Sequence, residues 1–187
     1  MVERNTFFEA QKARDCCIHS LNNSLGRVVV TKKQVLEFIE GKAKKYAKDN
    51  DVSDDSDAVS QFKNTLMTNN TFFTAQVVWD TAKALGTIGG VSPIPGFGGN
   101  FANVDSLPSW VREKSSLVLL GIDKYKSPHA IAVRRGKIYD SQLHSRGPRL
   151  FTNAELHKSL DKIFGAYVVY DTGETPVRVV RTQPSRA

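Results

Sequence analysis

The chain has 187 residues, of which 40% are apolar and 24% charged, with a formal net charge of +7. These figures are ordinary for a soluble globular protein of one domain, long enough to bury roughly 70% of its unfolded surface, and no apolar run approaches the roughly 20 residues needed to cross a bilayer. Cys16 and Cys17 are the only cysteines; adjacent thiols strain a disulfide and lack the spaced partners of a zinc site, which excludes a secreted disulfide scaffold and a zinc finger.

The opening "MVERNTFFEA" holds no apolar core segment, so no signal peptide is expected. With a free thiol, the expected setting is the cytoplasm or another reducing compartment, the nucleus and a host-cell cytosol included. From Cys16 to Leu25, Ile18, Leu21 and Leu25 recur at helical spacing, and Gly26 closes the stripe. Thr31 and Gln34 fit a capping box, opening a helix whose inward residues are expected to be Val35, Leu36, Phe38, Ile39, Ala43 and Tyr46. The acidic stretch "KDNDVSDDSD" reads as a loop. Val59, Phe62 and Leu66 then mark a third helix, making a hairpin with the acidic loop at its tip.

Thr71 or Thr74 can cap a fourth helix, "FFTAQVVWDTAKALG", stopped by Gly86. "GTIGGVSPIPGFGGNF" is expected to be a mobile surface loop. It lacks the spacing and flanking strand of a phosphate-binding loop. "SSLVLLGID" suits a central strand, and "HAIAVRRGKIYD" two short strands around a turn at Arg135-Gly136. Thr152 and Glu155 form a second capping-box pattern before a helix bearing Leu156, Leu160 and Ile163. "GAYVVYD" is a further strand, and "VRVVR" suits a last one. Helices first, then a hairpin-rich antiparallel sheet with one interposed helix, is an α+β order. The basic excess lies partly in "GKAKKYAK" and partly in "RVVRTQPSRA". With no interleaved aromatics, a solvated helix face and a basic tail explain it better than nucleic acid does. Residues 1–175 are expected to form one domain and 176–187 the tail.

Four positions suggest thiol chemistry. Cys16 stands where a helix begins, and exposed N–H groups there favour a thiolate over the free-cysteine pKa of about 8.5. Gln11, one short loop upstream, can share an oxyanion with the Cys16 N–H. The base should come from far along the chain. His19 sits on the cysteine helix and reads as a structural or secondary residue, His157 lies on an amphipathic helix, and His144 in a loop. His129 instead opens an apolar strand. Asp140 ends the partner strand, which the turn returns toward His129, so it can orient the imidazole. Each feature alone is more often structural; their joint placement suggests a Cys-His-Asp hydrolase.

At these residues the chain resembles the Josephin family of papain-like cysteine proteases, which are deubiquitinases. "QKARDCCIHSLNN" is similar to the family's opening motif, with Gln11 at the oxyanion glutamine, Cys16 at the nucleophile and Cys17 where a small residue is common. "FFTAQVVWDTAKALG" resembles the helix after the family's hairpin. "PHAIAVRRGKIYDSQLHSRGP" resembles the strands of the base and third member, matching His129 and Asp140. "FGAYVVYD" resembles the closing strand. The similarity runs over about residues 7–172, with Thr31–Asn70 in the place of the family's mobile helical arm. It implies a papain-like, Josephin-like fold: an N-terminal catalytic helix and helical hairpin packed on a mainly antiparallel sheet. It also implies ubiquitin or polyubiquitin as partner and no cofactor.

This chain departs from the pattern in three places. Ala130 stands where the family usually has a tryptophan beside the base. The strand before Asp140 is short, leaving Ser141 or Gln142 as a lesser choice of orienter. The Gly/Pro loop over 87–101 is long and suits a lid or partner contact. These departures mark a divergent member. They keep open a peptidase acting on another ubiquitin-like modifier or peptide, and an inactive ubiquitin- or nucleic-acid-binding domain.

Overall fold

A computed structural model of the protein describes residues 7–10, 15–68, 72–98 and 103–176. Helix α1 spans Cys16–Leu25 and ends at Gly26, whose φ of 72° permits the left-handed turn that sends its N–H back to Asn22 O. The capping box of Thr31 and Gln34 forms in full and opens α2, Lys32–Asp49. Val35, Ile39, Ala43 and Ala47 are its buried residues. Leu36, expected inside, is 44% exposed, because the buried stripe advances four residues at a time from Val35 and leaves Leu36 on its flank. Phe38 and Tyr46 are half-buried. Tyr46 stacks on Phe62 of α3, Asp57–Thr65, with ring centroids 4.6 Å apart. Ala43, Ala47 and Val59 form the small core of this hairpin.

Two expectations change in the next segment. Phe72–Phe73 is strand β2, paired with β1, Met67–Thr68, and is not the start of a helix. Helix α4 runs from Ala75 to Ala84, with the Thr74 hydroxyl accepting from Val77 N. Thr71 lies outside the described residues. The Gly/Pro stretch is also more ordered than expected. Gly90–Pro93 is strand β3, and Ile94 and Phe97 beyond it are core residues. Proline is compatible with β3 because that strand lies at a sheet edge. A 3₁₀ turn at Val104–Ser106 and the short helix α5, Ser109–Lys114, follow; neither was foreseen.

The main sheet comprises β3, β4 (Ser116–Ile122), β5 (Pro128–Arg134), β6 (Lys137–Tyr139), β7 (Arg149–Leu150) and β8 (Lys162–Tyr170). Its order is β3-β8-β4-β5-β6-β7, with every pairing antiparallel. Arg135 and Gly136, at φ 49° and 72°, make the two-residue β5–β6 turn whose twist suits a tight hairpin. Helix α6 covers Asn153–Ser159 and is capped by Thr152. Ile163, assigned to that helix by spacing, belongs to β8, because the helix stops before Leu160 and the chain enters the sheet. The "VRVVR" segment lies outside the described residues.

Alternation along the strands separates two cores. Leu117, Leu119, Ile131, Val133 and Val168 face a layer that includes Val111 of α5 and Leu156 of α6. Val118 and Val169 face the layer of α1, α2 and α4. The architecture is α+β. Among the described residues, no helix is long and apolar enough to cross a membrane.

Candidate active site

Cys16 is the first residue of α1 and is 4% exposed. Asp15 supplies no side-chain cap there, which leaves the first-turn N–H groups to favour a nearby negative charge. The helix packs chiefly on β5. By alternation the strand presents Ala130 and Ala132 to it, both fully buried. Such small side chains let the helix start approach the strand closely, and the Ala130 backbone N–H donates toward the Cys16 sulfur.

His129, the second residue of β5, and Asp140, directly after β6, are brought together by the hairpin. The last β5–β6 pair joins Ala132 to Tyr139, and Asp140 steps beyond it toward the start of β5. His129 Nε2 lies 2.9 Å from Asp140 Oδ1, with both side chains almost wholly buried. The same oxygen accepts the Gln142 backbone N–H at 3.0 Å. Thus Gln142 supports the carboxylate, and the acceptor at His129 is Asp140. His129 Nδ1 has no partner of full hydrogen-bond geometry, but the Cys16 thiol lies near enough for each group to shift the other's titration.

The electrostatics separate the three charges. The Cys17 thiol is the strongest influence lowering the Cys16 pKa; burial opposes it, and the bond and charge of His129 and the Ala130 N–H add to it, giving about 5. Cys17 moves the other way, raised by its bond to Cys16 and by burial. Of two neighbouring, interacting thiols only one ionises readily, and the imidazole and the Ala130 N–H act on Cys16. Burial alone would lower the His129 pKa, but Asp140 and Cys16 raise it to about 9. Burial pushes the Asp140 carboxyl up, yet bonds from His129, Ser159 and Gln142 outweigh it and hold it below its ordinary value. The combination favours a thiolate–imidazolium pair beside an ionised carboxylate.

Gln11 lies outside the described residues, but the segment ahead of it is tightly held. Glu9 N donates to Asn23 Oδ1 at 2.7 Å, and Asn23 Nδ2 donates to Glu9 O at 3.1 Å. Asn22 Nδ2 donates to Glu9 Oε2 at 2.9 Å. His19 Nδ1 also stands 2.9 Å from that oxygen, off hydrogen-bond angle, so His19 belongs to this anchor. Exposed His144 has Nε2 3.1 Å from Phe8 O, and the Phe8 ring packs edge-on against Tyr139 at 5.3 Å. His157 is exposed on α6.

Sequence reasoning missed Arg149 and Ser159, which approach Asp140 from β7 and α6. No local pattern marks them, since their roles depend on how those elements fold back. Cys16, His129 and Asp140 are therefore assembled at one point from three elements, an arrangement suited to attack by a thiolate on an acyl group with proton transfer by the imidazole. No protein-family model and no curated protein matches this sequence.

Proposed function

We propose that the protein is a cysteine-dependent deubiquitinase, hydrolysing peptide and isopeptide bonds at the C-terminus of ubiquitin or polyubiquitin. The observation that carries the reading is the position of His129, bonded through Nε2 to Asp140 and acting electrostatically on the Cys16 thiol. The substrate rests on the resemblance of "QKARDCCIHSLNN" and "PHAIAVRRGKIYDSQL" to the Josephin pattern, and the finer papain-like, Josephin-like fold is part of the same proposal.

In this mechanism the Cys16 thiolate attacks the carbonyl carbon of the terminal glycine, forming a C–S bond. The Cys16 N–H and the Gln11 side chain hold the resulting oxyanion. His129 gives its proton to the lysine amine as the C–N bond breaks. Water then attacks the thioester while His129 takes its proton, and the C–S bond breaks, regenerating the thiolate–imidazolium pair and releasing the ubiquitin C-terminal acid, which ionises in solvent. No cofactor enters these steps. Free Cys16 and Cys17 suit a reducing compartment.

One feature favours a second reading, a papain-like peptidase for another ubiquitin-like modifier or peptide. Ala130 follows the base and is 1% exposed, so no aromatic flanks His129 as in the Josephin pattern. A panel of C-terminal electrophiles built on ubiquitin and on related modifiers, followed by peptide mapping, tests both. Ubiquitin adducts on Cys16 that vanish in Cys16→Ala are expected. Labelling by another modifier alone overturns the ubiquitin assignment, and no labelling by any of them overturns the hydrolase reading.

A further inference from the structure

Beneath the His129–Asp140 pair lies a buried polar cluster with no part in the reaction just described. Asp140 directs Oδ1 to His129 and to the Gln142 N–H. Its other oxygen, Oδ2, faces Arg149 Nη2 at 3.7 Å. The Arg149 side chain is only 11% exposed. Its Nη2 donates to Ser159 Oγ at 2.5 Å, and its Nη1 to Glu155 Oε2 at 3.1 Å and Glu155 O at 3.3 Å. Ser159, itself 4% exposed, reaches the Asp140 carboxylate with its hydroxyl. Glu155 has the sequence position of a capping-box residue, and Thr152 does accept from Glu155 N. The Glu155 side chain, however, is engaged by Arg149 and Lys158. Arginine suits such a place because its rigid fork can serve several acceptors at once and it stays charged when buried.

We propose that Arg149 is a positioning residue for the proposed hydrolase: held by Glu155 and Ser159, it fixes the ionised Asp140 carboxylate and, through it, the orientation of His129. The inference rests on the Cys-His-Asp reading, but not on ubiquitin as substrate. The charged and titratable groups around Asp140 are His129 from β5 and Arg149 from β7. Glu155 and Lys158 of α6 are one step removed. Loss of Arg149 removes a cation from beside Asp140, so the carboxylate protonates at higher pH and its hold on the imidazole weakens earlier on acidification.

The test is the pH profile of iodoacetamide alkylation at Cys16, mapped by peptide, in the whole protein and in Arg149→Met, Arg149→Lys and Ser159→Ala. NMR of the His129 imidazole accompanies it. Arg149→Met is expected to move the acid limb of Cys16 reactivity upward, perturb the His129 Nε2–H resonance and slow hydrolysis of any substrate the protein accepts by roughly ten- to a hundredfold. Arg149→Lys should restore part of each. If Arg149→Met does not fold, Ser159→Ala carries the same readouts with smaller shifts. A lowered melting temperature with an unmoved acid limb and unchanged His129 resonance means a merely structural role and overturns the inference. A wild-type Cys16 with ordinary reactivity, unaltered in His129→Ala, defeats the Cys-His-Asp reading itself and this inference with it.

Discussion

His129 Nε2 and Asp140 Oδ1 meet at 2.9 Å across eleven residues of chain, so one nitrogen of the imidazole is committed to the carboxylate and Nδ1 is left for Cys16. Asp140 as acceptor keeps the proton on Nε2, and in the proposed mechanism Nδ1 is then the nitrogen that exchanges a proton with Cys16.

The pH dependence follows from the two opposed shifts. Cys16 is lowered to about 5 and His129 raised to about 9, so the thiolate–imidazolium pair spans that interval. Below it the sulfur is protonated, and both alkylation and hydrolysis fall. Above it the imidazolium loses the proton needed by the leaving amine, so hydrolysis falls while alkylation persists. Rapid alkylation kinetics and steady-state hydrolysis should therefore share an acid limb and part company on the basic side. An alkylation midpoint near the free-cysteine value of about 8.5 contradicts this.

Asp140→Asn and Asp140→Ala should differ. Asparagine can still accept from His129 Nε2–H but brings no charge, so the basic limb of hydrolysis should move below about 9 and the rate fall roughly tenfold. Alanine also loses the orienting bond, and a loss of roughly a hundredfold or more is expected. Equal effects of the two substitutions on kcat/KM and on the basic limb argue that Asp140 supports the fold and not the imidazole.

Cys17 should matter as a donor. It is half-buried against the core beneath α1, and its hydrogen bond is the main influence lowering the Cys16 pKa. A donor to a thiolate favours the charged form, so Cys17→Ala should raise the acid limb of Cys16 alkylation, and Cys17→Ser should largely preserve it. Peptide mapping should still find the label on Cys16. A label that disappears in Cys17→Ala and survives in Cys16→Ala would place the nucleophile one residue later.

Asn22 and Asn23 adjoin one another, but their losses should be felt differently. Asn22 is 1% exposed; its Oδ1 accepts Val29 N and Val30 N, and its Nδ2 donates to Val30 O. Asn22→Ala leaves those groups unpaired in the interior and should cost about 2–4 kcal/mol in a denaturant melt. Asn23 bonds the backbone of Glu9 through both side-chain atoms. Asn23→Ala should loosen the segment leading to Gln11 and lower kcat more than KM, since an oxyanion donor acts mainly in the transition state. A change in KM alone goes against that role.

Much of the molecule is legible in sequence because its signals are local. Thr31 with Gln34, Thr74, Gly26 and the Arg135-Gly136 turn act over a few residues, through groups that cap or reverse the chain whatever lies beyond. The nearness of His129 and Asp140 belongs with them, since one two-residue turn sets it. The rest depended on distant partners. Gly90–Pro93 becomes a strand because β8 lies beside it. Phe72–Phe73 pairs with Met67–Thr68 although it has the composition of a helix start. The insertion of β8 between β3 and β4, the docking of α1 on the alanines of β5, and the approach of Arg149 and Ser159 to Asp140 carry no local mark. They arise from burying two apolar sheet faces and pairing the charges caught between them, and that balance is struck only when the whole chain is folded.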